Sequence, residues 1–217
     1  MSLSSDGFSV SQLPLEEVKN GCSILLTGED TDTLKSVFSR LIAADENERS
    51  VVLATNAGGR SIQQSLNNAQ RNAGSRASIL TAEGPGRGED VSSIDDIGDL
   101  TQVGMQFSTL VATSQQSTAR FRSGIFLCST IASEVDDTRS VFRFLTSNFL
   151  TELRRGDGIG VVAIDRSADV GTNVDSMISG METSFKARID VEKTGLNKAT
   201  LELSGLSGSD RTVDVSL

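Results

Sequence analysis

The sequence predicts an α/β fold, a three-layer sandwich with a mostly parallel central sheet and a C-terminal antiparallel β meander. Short apolar runs alternate with amphipathic helical stretches about five times, the pattern of a parallel sheet covered by helices on both faces. Three final segments then switch to a period of two, as half-exposed antiparallel strands do. The chain of 217 residues, 37% of them hydrophobic, suits one medium domain with a substantial core.

In chain order, residues 1–12 read as a disordered polar tail and residues 13–217 as the single domain. Leu13, Leu15 and Val18 form a short apolar segment before the turn at Asn20 and Gly21. Residues 22–27 are a compact apolar run ending at Gly28, as a buried parallel strand reads. A helix follows, capped by Thr31 or Asp32, with Leu34, Val37, Phe38 and Leu41 on one face. Residues 50–55 are a second strand, Gly58 and Gly59 a turn, and residues 61–72 a polar helix with Ile62 and Leu66 facing inward. Residues 77–81 are a third strand. A long loop opens at Gly84 and runs through Ser93, before a helix over 97–113 and a strand over 123–129.

Asp136 and Asp137 start a helix that runs to Arg155. Val141, Phe142, Leu145, Phe149, Leu150 and Leu153 form its apolar stripe, with Phe144 off it. Arg154 and Arg155 complement the negative end of the helix, and Gly156 terminates it. Residues 158–164 are the fifth strand and 174–181 a short helix. The meander occupies 185–192, 199–206 and 212–217.

The formal net charge is -9 and the isoelectric point about 4.6. Proteins that bind nucleic acid neutralise phosphates with a basic stripe. None is visible, so the expectation is no direct contact with DNA or RNA. Arg outnumbers Lys, and Trp and Tyr are absent. An acidic, Lys-poor surface of this kind fits a halophilic archaeal source, where concentrated salt screens charge repulsion; it equally fits an ordinary acidic protein. The absence of His rules out a His general base, a His metal ligand and a Ser-His-Asp triad. Cys22 and Cys128 sit in apolar runs and are expected as buried free thiols. No stretch approaches the roughly 20 apolar residues of a membrane span, and the first residues lack the regions of a signal peptide. The chain is expected in the cytoplasm, without membrane insertion.

In an α/β domain, ligands bind where the first strand turns into the first helix. Here the lead-in over 15–21, the strand after it, and the turn Thr27, Gly28, Glu29 resemble the start of the RecA/KaiC family, whose Thr-Gly-Glu opens a phosphate-binding loop. The resemblance covers the chain from about residue 13 onward and implies the RecA-like version of the fold above. It also implies a site for ATP and Mg²⁺ at the turn.

The residues depart from that site. The motif needs Gly-x4-Gly-Lys-Ser/Thr, in which backbone N–H groups wrap phosphate, the Lys balances charge and the hydroxyl holds Mg²⁺. From Gly28, Thr33 replaces the second Gly, Leu34 the Lys, and Lys35 and Ser36 arrive one residue late. A slip of one residue turns a helical side chain by about 100°. Asp30 and Asp32 place carboxylates where triphosphate oxygens would sit.

By the resemblance, Cys128 falls on the Asp that orients Mg²⁺, Thr55 and Asn56 on the catalytic Glu, and Lys193 on a cation that hexameric relatives lend to a neighbour. The expectation is therefore no catalytic residue, no metal and no cofactor: a RecA/KaiC-like pseudo-ATPase that regulates through a protein partner or a homo-oligomer. For haloarchaea the family sets a theme of signal transduction. The alternative is a divergent nucleotide-binding protein or slow ATPase, with Gly28, Thr33, Lys35 and Ser36 as a degenerate ATP-binding set and Asp165 positioning water. A DNA-repair accessory is a third option that the acidic charge opposes. Residues 84–90 with Arg87 form either an anion nest or a plain loop. Asp95, Asp96, Asp136 and Asp137 are either cation ligands or helix-start carboxylates.

Overall fold

The computed structural model describes residues 7–10, 12–86, 90–206 and 210–217. Strands β1 (Gly7–Phe8) and β2 (Val18–Lys19) pair as a small antiparallel ribbon. The strands that follow, among the described residues, are nine: β3 (Ser23–Gly28), β4 (Arg49–Ala54), β5 (Ala77–Thr81), β6 (Val91–Ser93), β7 (Arg120–Phe126), β8 (Asp157–Asp165), β9 (Ala187–Gly195), β10 (Lys198–Ser204) and β11 (Arg211–Ser216). They form one sheet in the order β11-β10-β9-β3-β8-β7-β4-β5-β6. Every pairing from β9 to β6 is parallel, and β10 and β11 close the meander antiparallel.

The helices are α1 (Thr31–Ile42), α2 (Gly59–Ala69), α3 (Leu100–Gln115), α4 (Cys128–Ser133), α5 (Thr138–Phe144), α6 (Leu150–Arg155) and α7 (Val174–Glu182). Because side chains alternate along a strand, each central strand feeds two cores. Ile24, Leu26 and Val52 meet Leu34, Phe38, Leu41 and Leu66 of α1 and α2 on one face. Leu25, Val51, Leu53 and Val162 meet Phe107, Val141, Phe149 and Ile178 of the other helices on the opposite face. Strands buried on both faces are why residues 22–27 and 50–55 read as continuous apolar runs. The three-layer sandwich expected from the sequence is the architecture found.

Four local features differ from expectation. The tail expected over 1–12 gives way to packed chain at residues 7–10: Phe8 and Val10 are buried in the first core. Arg120 lies 4.1 Å over the Phe8 ring. Its Nη2 donates to the carbonyl of Gly7 at 2.8 Å, and Nη2 of Arg122 donates to that of Ser9 at 2.8 Å. Arg122 is itself buried, and its Nε meets Oε2 of the buried Glu48 at 2.6 Å. A buried charge needs such a partner. The alternation of Phe8, Ser9 and Val10 signals a strand, but one too short to stand out from its Ser-rich surroundings.

Second, the loop expected over 84–93 contains β6. Gly86 lies against its outer edge, where a Cβ would come within 2.9 Å of both Ser93 N and Val91 O. Arg87 falls outside the described residues. Third, the strand expected over 123–129 stops at Phe126; Leu127 turns with φ 62° and Cys128 begins α4. Fourth, the helix expected to run unbroken to Arg155 is interrupted over Leu145–Phe149 by a π turn. There Thr146 Oγ1 donates to Phe142 O at 2.8 Å, a side-chain bond that competes with the backbone ladder. The wider turn lets Phe144 join Phe149 in the second core.

Candidate functional site

The carboxyl ends of β3, β8 and β9 meet at one rim, where Gly28 is level with Asp165 and Val191. A cleft of about 530 Å³ opens there, lined by Gly28, Glu29, Asp30, Arg166, Asp190, Glu192, Lys193 and Glu202 among others.

Its floor is the turn between β3 and α1. β3 includes Gly28 and α1 starts at Thr31, so Glu29 and Asp30 alone join them. The helix cap is Asp30, one residue before the pair expected from the sequence. Its Oδ1 accepts from Thr33 N at 2.9 Å and from Thr33 Oγ1 at 2.6 Å, while its Oδ2 meets Lys193 Nζ at 2.8 Å. Those bonds, with that to Lys193 the largest contribution, hold the Asp30 carboxyl down at about 2.

Gly28 has a packing role: a Cβ there would come within 2.9 Å of Val191 O and 3.2 Å of Leu34 Cδ2. Asp165 reaches the same turn from β8. Its Oδ2 accepts from Thr31 Oγ1 at 3.1 Å, and its Oδ1 accepts from Ser167 N at 2.8 Å and Ser167 Oγ at 2.6 Å. Asp190 accepts from Thr27 Oγ1, its neighbour across the β3–β9 ladder, and from Arg188 Nη2 at 2.6 Å. Arg166 Nη2 pairs with Asp175 Oδ1 at 3.0 Å.

The four residues of the degenerate ATP-binding set part company. Gly28 lines the cleft. Thr33 is buried against Asp30. Lys35 and Ser36 line a different depression, between α1 and α2, with Ser39, Arg40 and Asn68. There Lys35 Nζ donates to Ser61 Oγ at 2.6 Å. Of the other residues matched to the family, Thr55 and Cys128 are placed structurally, while Asn56 is exposed. Thr55 Oγ1 donates to the carbonyls of Phe126 and Leu127 at 2.9 and 2.8 Å, clamping β4 to β7. Cys128 is buried in the second core, and burial pushes its thiol up to about 12. Burial likewise raises the Cys22 thiol to about 11 against an opposing pull from Lys186. Asp137 caps α5 through Arg139 N at 3.0 Å, and Asp96 accepts from Gly98 N at 2.8 Å. Among the described residues, no group of three or more Cys, Asp or Glu is placed to hold a metal ion.

The arrangement departs from that of a phosphate-wrapping loop. A phosphate-wrapping loop needs several free N–H groups between strand and helix, whereas the two-residue turn already spends its cap on Asp30. Five carboxylates line the cleft against two cations. At about 4 Å, each like-charge contact with a phosphate oxygen costs roughly 1 kcal/mol in water and more where water is excluded. Lys193, which the resemblance matched to a cation of hexameric relatives, pairs here with Asp30 of its own chain.

Comparison with known proteins places this geometry. A family described as "Family of unknown function (DUF7504)" matches residues 21–191. No curated protein matches the sequence. A KaiC-like protein from the hyperthermophilic archaeon Pyrococcus horikoshii superposes with a TM-score of 0.60 at 12% identity, covering 93% of this chain and 92% of that one. An uncharacterised protein from Pyrococcus horikoshii, solved in complex with an unknown peptide, superposes with a TM-score of 0.61 at 13% identity, covering 89% and 86%. At such identities the likeness speaks for the fold.

Proposed function

The chain belongs to the family of unknown function DUF7504 and has the fold of KaiC-like, RecA-type proteins, and from that premise we propose that it is a non-catalytic relative of these ATPases, acting through protein contacts. One observation carries the reading: the nucleotide loop is replaced by the Glu29–Asp30 turn, with the Asp30 carboxylate tied to Thr33 and Lys193 where phosphate would lie. The separation of Lys35 and Ser36 from Gly28 supports it, as does the carboxylate excess of the cleft. The peptide held by the Pyrococcus horikoshii relative is in keeping with a fold of this kind that engages polypeptide. A regulatory task follows naturally for a domain that keeps an ATPase scaffold and sheds its chemistry, and signalling in a haloarchaeal cytoplasm is the setting we propose for it.

A thermal melt with and without millimolar Mg-ATP tests the reading. A ligand at 100 times its Kd adds about 2.7 kcal/mol of stability, a visible shift for a domain of this size. The expected result is no shift. A clear rise that Lys35→Ala abolishes would overturn the proposal in favour of a nucleotide-binding protein.

A further inference from the structure

Between α1 and α2, apart from the cleft at Gly28, lies a second hollow of about 420 Å³. That volume is in the range of small-molecule sites. Its lining is mostly polar: Asp32, Lys35, Ser36, Ser39 and Arg40 come from α1, and Ser65 and Asn68 from α2. At about 100° per residue, Ser39 and Ser36 fall about 40° and 100° round α1 from Lys35, and Arg40 about 140°. The two hydroxyls therefore lie on the arc between the two cations.

Two observations mark the hollow as a site rather than a seam between helices. The first is Ser39. It is 2% exposed, and its Oγ has no hydrogen-bond partner among the described residues. A hydroxyl so buried is ordinarily paired, and the side of α1 it occupies is the one that lines the hollow. The second is charge. On a chain of net charge -9, neither Lys35 nor Arg40 joins an ion pair among the described residues. Lys35 Nζ donates to Ser61 Oγ at 2.6 Å, and Arg40 Nη1 donates to the carbonyls of Ser216 and Gln12 at 2.6 and 3.3 Å. Those neutral acceptors fix both side chains and leave both charges unbalanced. Burial pulls the Arg40 guanidinium below its ordinary value, and a charge partly withdrawn from water attracts an anion more strongly.

The lining also states what the anion must carry. Lys35 offers a point charge and Arg40 a planar fork, the pair of groups that suits a phosphate. The remaining groups suit hydroxyls. Ser65 Oγ donates to Ser61 O at 3.0 Å and is left to accept. The Asn68 amide donates and accepts, and the Asp32 carboxylate only accepts. A bare anion would leave Asp32 facing like charge. A ligand with hydroxyl groups beside its phosphate answers both halves, and Ala69 and Leu217 supply an apolar surface for its carbons.

We infer that the hollow binds a small phosphorylated polyol, with the phosphate between Lys35 and Arg40 beside Ser39 and the hydroxyls towards Asp32, Ser65 and Asn68. The site lies outside the cleft, so it goes beyond the contact-making role proposed above and supplies that role with a small-molecule effector.

An amide-resolved NMR titration of the full chain with glycerol 3-phosphate tests this, at constant KCl and without nucleotide or Mg²⁺. Saturable shifts are expected over α1 and α2, centred on Ser36, Ser39, Arg40 and Asn68, with weaker binding of inorganic phosphate. Arg40→Gln and Lys35→Met are each expected to weaken binding about tenfold, as loss of a charge-assisted hydrogen bond does, with melting curves confirming that they fold. Ser39→Ala should also weaken binding while the free chain melts no lower, because the unpaired hydroxyl is gone; a purely structural serine would give the opposite pair of results. Ser65→Leu fills the hollow with both cations still in place and should abolish binding. The absence of saturable shifts, shifts scattered over the surface, inorganic phosphate binding as tightly, or variants that bind like the wild type overturn the inference and leave the non-catalytic reading intact. Shifts gathered instead at Gly28, Glu29 and Thr31 overturn the inference and count against that reading as well.

Discussion

Asp30 does three things at once: it caps α1, restrains Thr33 and holds Lys193. Replacing it with Ala removes the cap, a loss of about 1 kcal/mol, which lowers Tm by roughly 2–4 °C in a domain of this length. The pH dependence follows from the depressed carboxyl. Folding holds Asp30 ionised down to about 2 against an ordinary 3.8, so its stabilisation is complete above pH 4 and fades as pH falls from there to 2. The difference in Tm between wild type and Asp30→Ala should therefore shrink across that window; a gap unchanged at pH 2 would show that the cap acts without its charge. The cap was legible in type but not in register. Asp30, Thr31, Asp32 and Thr33 are all competent to cap, so residue type alone does not choose among them, and Asp30 is the one whose side chain accepts from Thr33 N. The partner Lys193, 163 residues away, carries no local sequence signal.

Among elements, the N-terminal ribbon is where local pattern and structure part most. Phe8 is buried completely beneath Arg120, beside a salt bridge between Arg122 and Glu48. Phe8→Ala should cost about 3–5 kcal/mol in urea unfolding, as full truncation of a core phenylalanine does. A loss near zero would mean that residues 7–10 contribute nothing and that the domain starts at Leu13. β5 was legible to the residue because its five positions are all buried. β6 was not: two of its three residues, Ser92 and Ser93, face solvent, and three residues are too few for a period to emerge. The π turn escaped for a related reason. The stripe from Val141 to Leu153 has helical spacing throughout, and Thr146, whose hydroxyl donates back to Phe142 O, is a residue type found in unbroken helices as well.

At the scale of the molecule, charge separates two readings that composition alone leaves level. Carboxylates exceed basic residues by 29 to 20, so repulsion across the surface opposes folding. Molar KCl shortens the Debye length to about 3 Å and removes most of that repulsion. Melting curves from low salt to molar KCl should therefore show Tm rising steadily, with partial unfolding at the low end. A flat Tm would mark an ordinary acidic protein. The order of strand and helix and the closing meander were legible from the sequence, because hydrophobic periodicity records which faces are buried. What stayed hidden is contact between distant segments: Arg122 with Glu48, Lys193 with Asp30, Asp165 with Thr31.

The arginine clamp on residues 7–10 also orients the molecule. Arg120 opens β7, so the clamp lies on the amino rim of the parallel strands, opposite the rim that carries the cleft. Gly7 therefore stands on the far side from the cleft. A surface that grips the molecule by that rim would leave the cleft facing outward, towards solution and whatever arrives from it.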